Sequence, residues 1–111
     1  MRNDGHRVDD IARALEAIER YALRGREEFM RDELIQTWMI HHLETIGEAL
    51  RSMTAEFRER YSTHLDWSGW VGLRTILAHH YFRVDPELIW GTIERDVPTL
   101  RDSLDKIRSS G

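Results

Sequence analysis

An all-α fold, an antiparallel bundle of four main helices plus one short one, is what this sequence predicts. Three observations carry that expectation. Apolar residues recur at three- and four-residue spacings in every long segment. No stretch alternates apolar and polar residues as a half-buried strand does. The joints between periodic segments are short and marked by Gly, Pro or capping residues. With 111 residues, the chain reads as a single domain spanning 1–111, with 1–6 and 109–111 expected to fray. A chain of this size buries only about two-thirds of its unfolded surface, so it needs a well-used core or a partner.

The elements follow in order. Val8, Ile11, Leu15, Ile18 and Ala22 form an apolar stripe, predicting a first helix over roughly 8–24 with Gly25 as its stop. Arg26-Glu27-Glu28-Phe29 opens the next element. Leu34, Ile35, Trp38, Met39, Leu43, Ile46 and Leu50 then carry the longest pattern, about 30–52. Gly47 interrupts it at a helix-propensity cost of about 1 kcal/mol, and a glycine there lets another helix come close. Thr54 caps a short helix. Asp66 caps a helix from about Trp67 to Phe82, striped by Trp67, Trp70, Leu73, Leu77 and Tyr81. Asp85-Pro86 is a helix start with Pro at the first position. Ile89, Ile93, Val97, Leu100, Leu104 and Ile107 continue it to the end, with Pro98 expected to kink or interrupt it near Asp96.

Composition narrows the function. There is no Cys, which excludes disulfides, Cys-ligated zinc and thiol chemistry and fits a cytoplasmic address. No apolar run reaches the roughly 20 residues of a membrane span, and the polar N-terminal residues lack a signal-peptide core. The net charge of −4 argues against a general nucleic-acid coat protein but leaves room for a small basic cleft. Fifteen of the 16 basic residues are Arg, the better bidentate ligand for phosphate. Four Trp in so short a chain point toward an interface, hence a dimer.

The chemistry-bearing residues gather in Arg74-Thr75-Ile76-Leu77-Ala78-His79-His80-Tyr81. Arg74 and Tyr81, seven apart, share a helix face. His79 points about 140° away from Arg74. Arginine reach, a bend near the helix end, or a second copy across a twofold axis would reunite them. Together they suit metal-free RNA cleavage. A base takes the ribose 2′-OH proton, the oxygen attacks phosphorus, and an acid protonates the departing 5′-oxygen. Histidine, ordinarily titrating near about 6.5, serves either step. Arginine meets the charge growing on the phosphate oxygens, and Tyr81 can bond a phosphate or stack on a base. The spacing alone is unspecific and equally describes core and surface residues.

Glu48 either orients Arg74 across a helix contact or merely pairs with Arg51 one turn on. His80 is a supporting candidate beside His79. His41 and His42 are adjacent, point about 100° apart, and do not form a paired metal-ligand set. No cofactor motif, Gly-rich phosphate loop or zinc spacing is present.

The segment Gly72–Phe82 resembles the signature of the HepT-like branch of the HEPN superfamily: arginine, a polar residue, then His-x-Tyr at a helix end. Tyr21–Phe29, Ile46–Ala49, Val84–Trp90 and Asp96–Leu100 are similar to its other blocks, in order. The resemblance implies a HEPN-like dimeric bundle whose two motif copies face a shared cleft. It implies a metal-independent endoribonuclease with Arg74 and His79 as catalytic residues. Such a protein is the toxin of a type II or type VII toxin–antitoxin pair. Its partner is a minimal nucleotidyltransferase antitoxin that adds AMP to the tyrosine, here Tyr81. Thr75 departs from the family's usual Asn, keeping a hydroxyl but losing the amide's reach. The alternatives are a non-catalytic nucleotide- or substrate-binding subunit of a nucleotidyltransferase complex and a purely structural dimer.

Overall fold

The computed structural model describes residues 3–80 and 83–110, with only the backbone of His80. Six helices follow one another: α1 (Asp4–Ala22), α2 (Arg26–Arg31), α3 (Glu33–Arg51), α4 (Ala55–Arg60), α5 (Trp67–His80) and α6 (Pro86–Ser110). The described residues contain no strand.

Local chemistry sets these boundaries and corrects several expectations. α1 starts four residues earlier than its apolar stripe implies, because Asn3 caps it: the Asn3 Oδ1 accepts from the His6 N–H at 2.9 Å. Asp4–His6 is therefore helical, and Ser109–Ser110 closes α6. One short helix was expected, but there are two. Arg26–Arg31 is a separate turn and a half because Asp32 leaves the helical region and caps α3, accepting from the Leu34 and Ile35 N–H groups. Gly25 adopts φ +90°, which only glycine takes without strain, so it redirects the chain between α1 and α2. Thr54, Asp66 and Asp85 cap as their residue types predict. Pro98 does not interrupt α6, which runs unbroken from Pro86 to Ser110. Its missing N–H removes one ladder bond, while the buried stripe on both sides, from Ile89 to Ile107, holds the helix to the core.

α3 is the central element, packing most extensively on α5 and α1. Its Met39, Leu43 and Ile46 are completely buried with Leu15 and Ile18 of α1 and Leu77 of α5. Each such side chain contributes about 1.5–3 kcal/mol of transfer free energy. α1 runs antiparallel to α3: Asp4 takes bonds from the Thr54 N–H and hydroxyl, while Tyr21 meets Trp38 at the other end. α6 runs antiparallel to α1, with Arg108 near Asp9 and Arg101 gripping Glu19 through two bonds of 2.9 and 2.7 Å. No described helix is long and apolar enough to cross a membrane.

Candidate active site

Gly47 determines how the site is built. A Cβ placed there would lie 2.3 Å from the Arg74 Cβ and 2.9 Å from the Trp70 carbonyl oxygen, distances no side chain tolerates. The glycine thus lets α5 sit directly on α3, with Arg74 at the point of contact. One residue further along α3, the Glu48 Oε2 lies 3.0 Å from the Arg74 Nε. The same carboxylate accepts from the Arg51 Nε and Nη2, both at 3.2 Å, and from the Ser52 hydroxyl at 3.3 Å. Glu48 therefore contacts Arg51 and Arg74 at once. The Arg51 bonds, more than the Arg74 charge, hold its carboxyl below the usual range despite partial burial. Its share of stability is thus fully present above about pH 4.3, the ordinary Glu value, and fades as pH falls through the depressed one. At neutral pH Arg74 faces a fully charged carboxylate.

Arg74 opens into a groove between α1, α3 and α5, lined also by Arg7, His41, Thr45, Glu48 and Ser52. Along α3 and its C-cap Ser52 the positions His41, Thr45, Glu48 and Ser52 fall at spacings of 4, 3 and 4, a polar stripe on one face. Ala49 and Ala78 form small-residue parts of the wall.

His79 is not among the groove-lining residues. It is exposed, and its Nδ1 lies 2.9 Å from the Thr75 carbonyl oxygen. That oxygen only accepts, so in this contact Nδ1 is the donor. The Thr75 hydroxyl turns back onto its own helix, donating to the Val71 carbonyl at 3.2 Å. What Thr75 supplies to His79 is its backbone, which any residue would provide. Arg74 lines the groove and His79 does not. Tyr81 and the His80 side chain lie outside the described residues. Among the described residues no cluster of three or more His, Asp or Glu is placed to hold a metal ion.

Arg7, Thr45, Ser52 and His41 are groove residues beyond those expected from the sequence. The polar spacing from His41 to Ser52 is the signal that could have found the α3 members. Arg7 comes from the distant α1, and no local pattern marks it.

Against known proteins, the family model described as ribonuclease HepT-like matches residues 11–107. The chain belongs to that family. A Thermococcus cleftensis protein named "Probable ribonuclease HepT" is 34% identical over 102 residues, covering 91% of this chain and 92% of its own. A Methanocaldococcus jannaschii protein named "Gamma-glutamylcyclotransferase and putative RNase" is 34% identical over 101 residues. That match covers 90% of this chain but only 45% of the relative. A third, from Caldanaerobacter subterraneus, carries the same RNase designation at 36% identity over 90 residues, 81% of this chain and 80% of its own. No solved structure gives a significant match.

Proposed function

We propose that this chain is a metal-independent endoribonuclease and the toxin of a toxin–antitoxin pair, neutralised by a minimal nucleotidyltransferase. The observation that carries this reading is the seating of Arg74: fixed on Gly47, ion-paired to Glu48 and facing an open groove. Membership of the ribonuclease HepT-like family supports it.

Arg74 binds the scissile phosphate and stabilises the charge that develops on its oxygens. Glu48 is the positioning residue that keeps the guanidinium from swinging. The His79 Nε2 exchanges the proton with the ribose 2′-OH or the departing 5′-oxygen. Two proton transfers need two groups, and a homodimer with both motif copies over one cleft supplies a second His79. The 2′-oxygen bonds to phosphorus as the P–O5′ bond breaks, leaving a 2′,3′-cyclic phosphate and a 5′-hydroxyl. An RNA carrying a single 2′-deoxynucleotide at the cut position is therefore expected to stay intact. Mass spectrometry of products from unmodified RNA is expected to show the cyclic phosphate. Cleavage of the deoxy substrate at the same position would contradict this mechanism.

Tyr81 follows His79 by two residues and is the proposed site where the antitoxin attaches AMP. The tyrosyl oxygen attacks the α-phosphorus of ATP and pyrophosphate leaves. The added phosphate charge would repel RNA. Incubation with the partner and ATP is expected to raise the intact mass by whole AMP units. The same rise in Tyr81→Phe would place the modification elsewhere.

A further inference from the structure

Trp38 is 42% exposed on α3, a large ring left in contact with water. It is not isolated. Its ring packs edge-to-face with Tyr21 at 5.9 Å on one side and with His42 at 4.4 Å on the other. His42 in turn meets His41 at 5.0 Å. His41 lines the groove that holds Arg74. At the far end the Arg24 guanidinium stands 4.9 Å from the centre of the Tyr21 ring. A run of aromatic rings therefore crosses the surface from α1 over α3 to the groove, with a guanidinium at each end. From Trp38 to Glu48, where Arg74 pairs, α3 rises about 15 Å.

The middle of this run is uncharged. The His42 Nε2 is buried without a hydrogen-bond partner. Burial first, and the neighbouring His41 second, push the His42 imidazole below its ordinary range, so at neutral pH it is a neutral ring. Asp10 and Glu44 also line the groove, so a phosphate keeps to its Arg74 side and the neutral rings take bases.

We infer that this strip is a stacking path for single-stranded RNA, with bases resting on Trp38 and His41 and the backbone entering the groove at Arg74. This rests on the ribonuclease reading and adds to it how the strand is held beside the cut. Three features favour RNA over a protein partner. The strip is aromatic rather than aliphatic. It is continuous with the Arg74 groove. Each end carries an Arg, although Arg24 shares its charge with Glu28 at 3.2 Å. Base–aromatic stacking tolerates any sequence. With so few cations on the strip, and a chain of net charge −4, affinity comes mostly from stacking. Binding is thus expected to fall only shallowly with salt, in contrast to a protein that makes many phosphate contacts.

The test uses a labelled 12-nucleotide RNA methylated at every 2′-oxygen, read by fluorescence anisotropy. Because this RNA cannot be cut, the result does not depend on catalysis. Trp38→Ala and His41→Ala are each expected to weaken binding about tenfold, within the range of one lost stacked base. Trp38→Phe is expected to recover most of the affinity and Trp38→Leu is not, since leucine keeps apolar bulk but has no π face. Light scattering is expected to give the same mass for all variants. Three results would overturn the inference: no binding by the wild type, unchanged affinity in both alanine variants, or an altered mass that makes Trp38 a contact between copies. Trp38-dependent binding in a protein that cuts no unmodified RNA would defeat the ribonuclease reading alone.

Discussion

Gly47→Ala is expected to destabilise the protein and also to depress RNA cleavage, although the residue carries no functional group. Alanine is the better helix former by about 1 kcal/mol, so an uncrowded position would gain stability. Here the new methyl would sit 2.3 Å from the Arg74 Cβ and 2.9 Å from the Trp70 carbonyl oxygen. Neither is the end of a flexible side chain, so α5 itself must move. Overpacking of this kind costs about 1–3 kcal/mol, occasionally more, and with the backbone involved the cost exceeds the propensity gain. A net loss of about 1–2 kcal/mol corresponds to a Tm lower by roughly 5–10 °C in a domain of this size. Cleavage is expected to fall by more than the folded fraction explains. A guanidinium displaced by about 1 Å from a phosphate loses up to about 100-fold in rate. Thermal unfolding and cleavage measured on the same preparation separate the two effects. A Tm raised by the substitution, with cleavage intact, would show that α5 is not seated on Gly47.

Arg74→Ala and His79→Ala are expected to have the largest effects on activity and little effect on folding. Arg74 is partly exposed, and its ion pair is shared by a Glu48 that keeps Arg51. Losing it leaves no buried charge unpaired, so stability is expected to change by less than about 1 kcal/mol. The loss in cleavage is expected to be on the order of 10²–10³, as for removal of one donor that meets developing charge. His79 is exposed and bonded to a backbone carbonyl of its own helix, so its removal also spares the fold. Without the proton-transfer group the rate is expected to fall on the order of 10²–10⁴. Thr75→Ala is the instructive contrast. It keeps the carbonyl that holds the His79 Nδ1, and activity is expected to stay within a few-fold of wild type.

The sequence made most of this fold legible because its helices are amphipathic and its caps are explicit. Thr54, Asp66 and Asp85-Pro86 each start a helix where their chemistry demands. The division between α2 and α3 was hidden, since the apolar pattern continues from Phe29 across Asp32 to Ile35. Only the Asp32 backbone breaks the helix there. Pro98 allows either a kink or a break, and the helix continues through it because side-chain burial along α6 outweighs one missing bond. At the site, Arg74 and His79 are legible as residue types on one helix. The partner of Gly47 was not, because the identity of the helix that closes on a glycine is a tertiary fact. Arg7 was likewise invisible, coming from a helix more than sixty residues away in sequence from Arg74. Glu48 was seen as two alternatives, and the fold joins them in one carboxylate.

The central claim is that Arg74 and His79 carry out metal-free RNA cleavage. The most direct measurement is single-turnover cleavage of a defined single-stranded RNA in excess EDTA. Wild type, Arg74→Ala and His79→Ala would be compared at matched concentration and confirmed folded by thermal melting. The account predicts cleavage by the wild type that EDTA does not diminish, and losses of at least about 100-fold in both variants. Equal rates in all three folded proteins, or activity that EDTA abolishes, would contradict it.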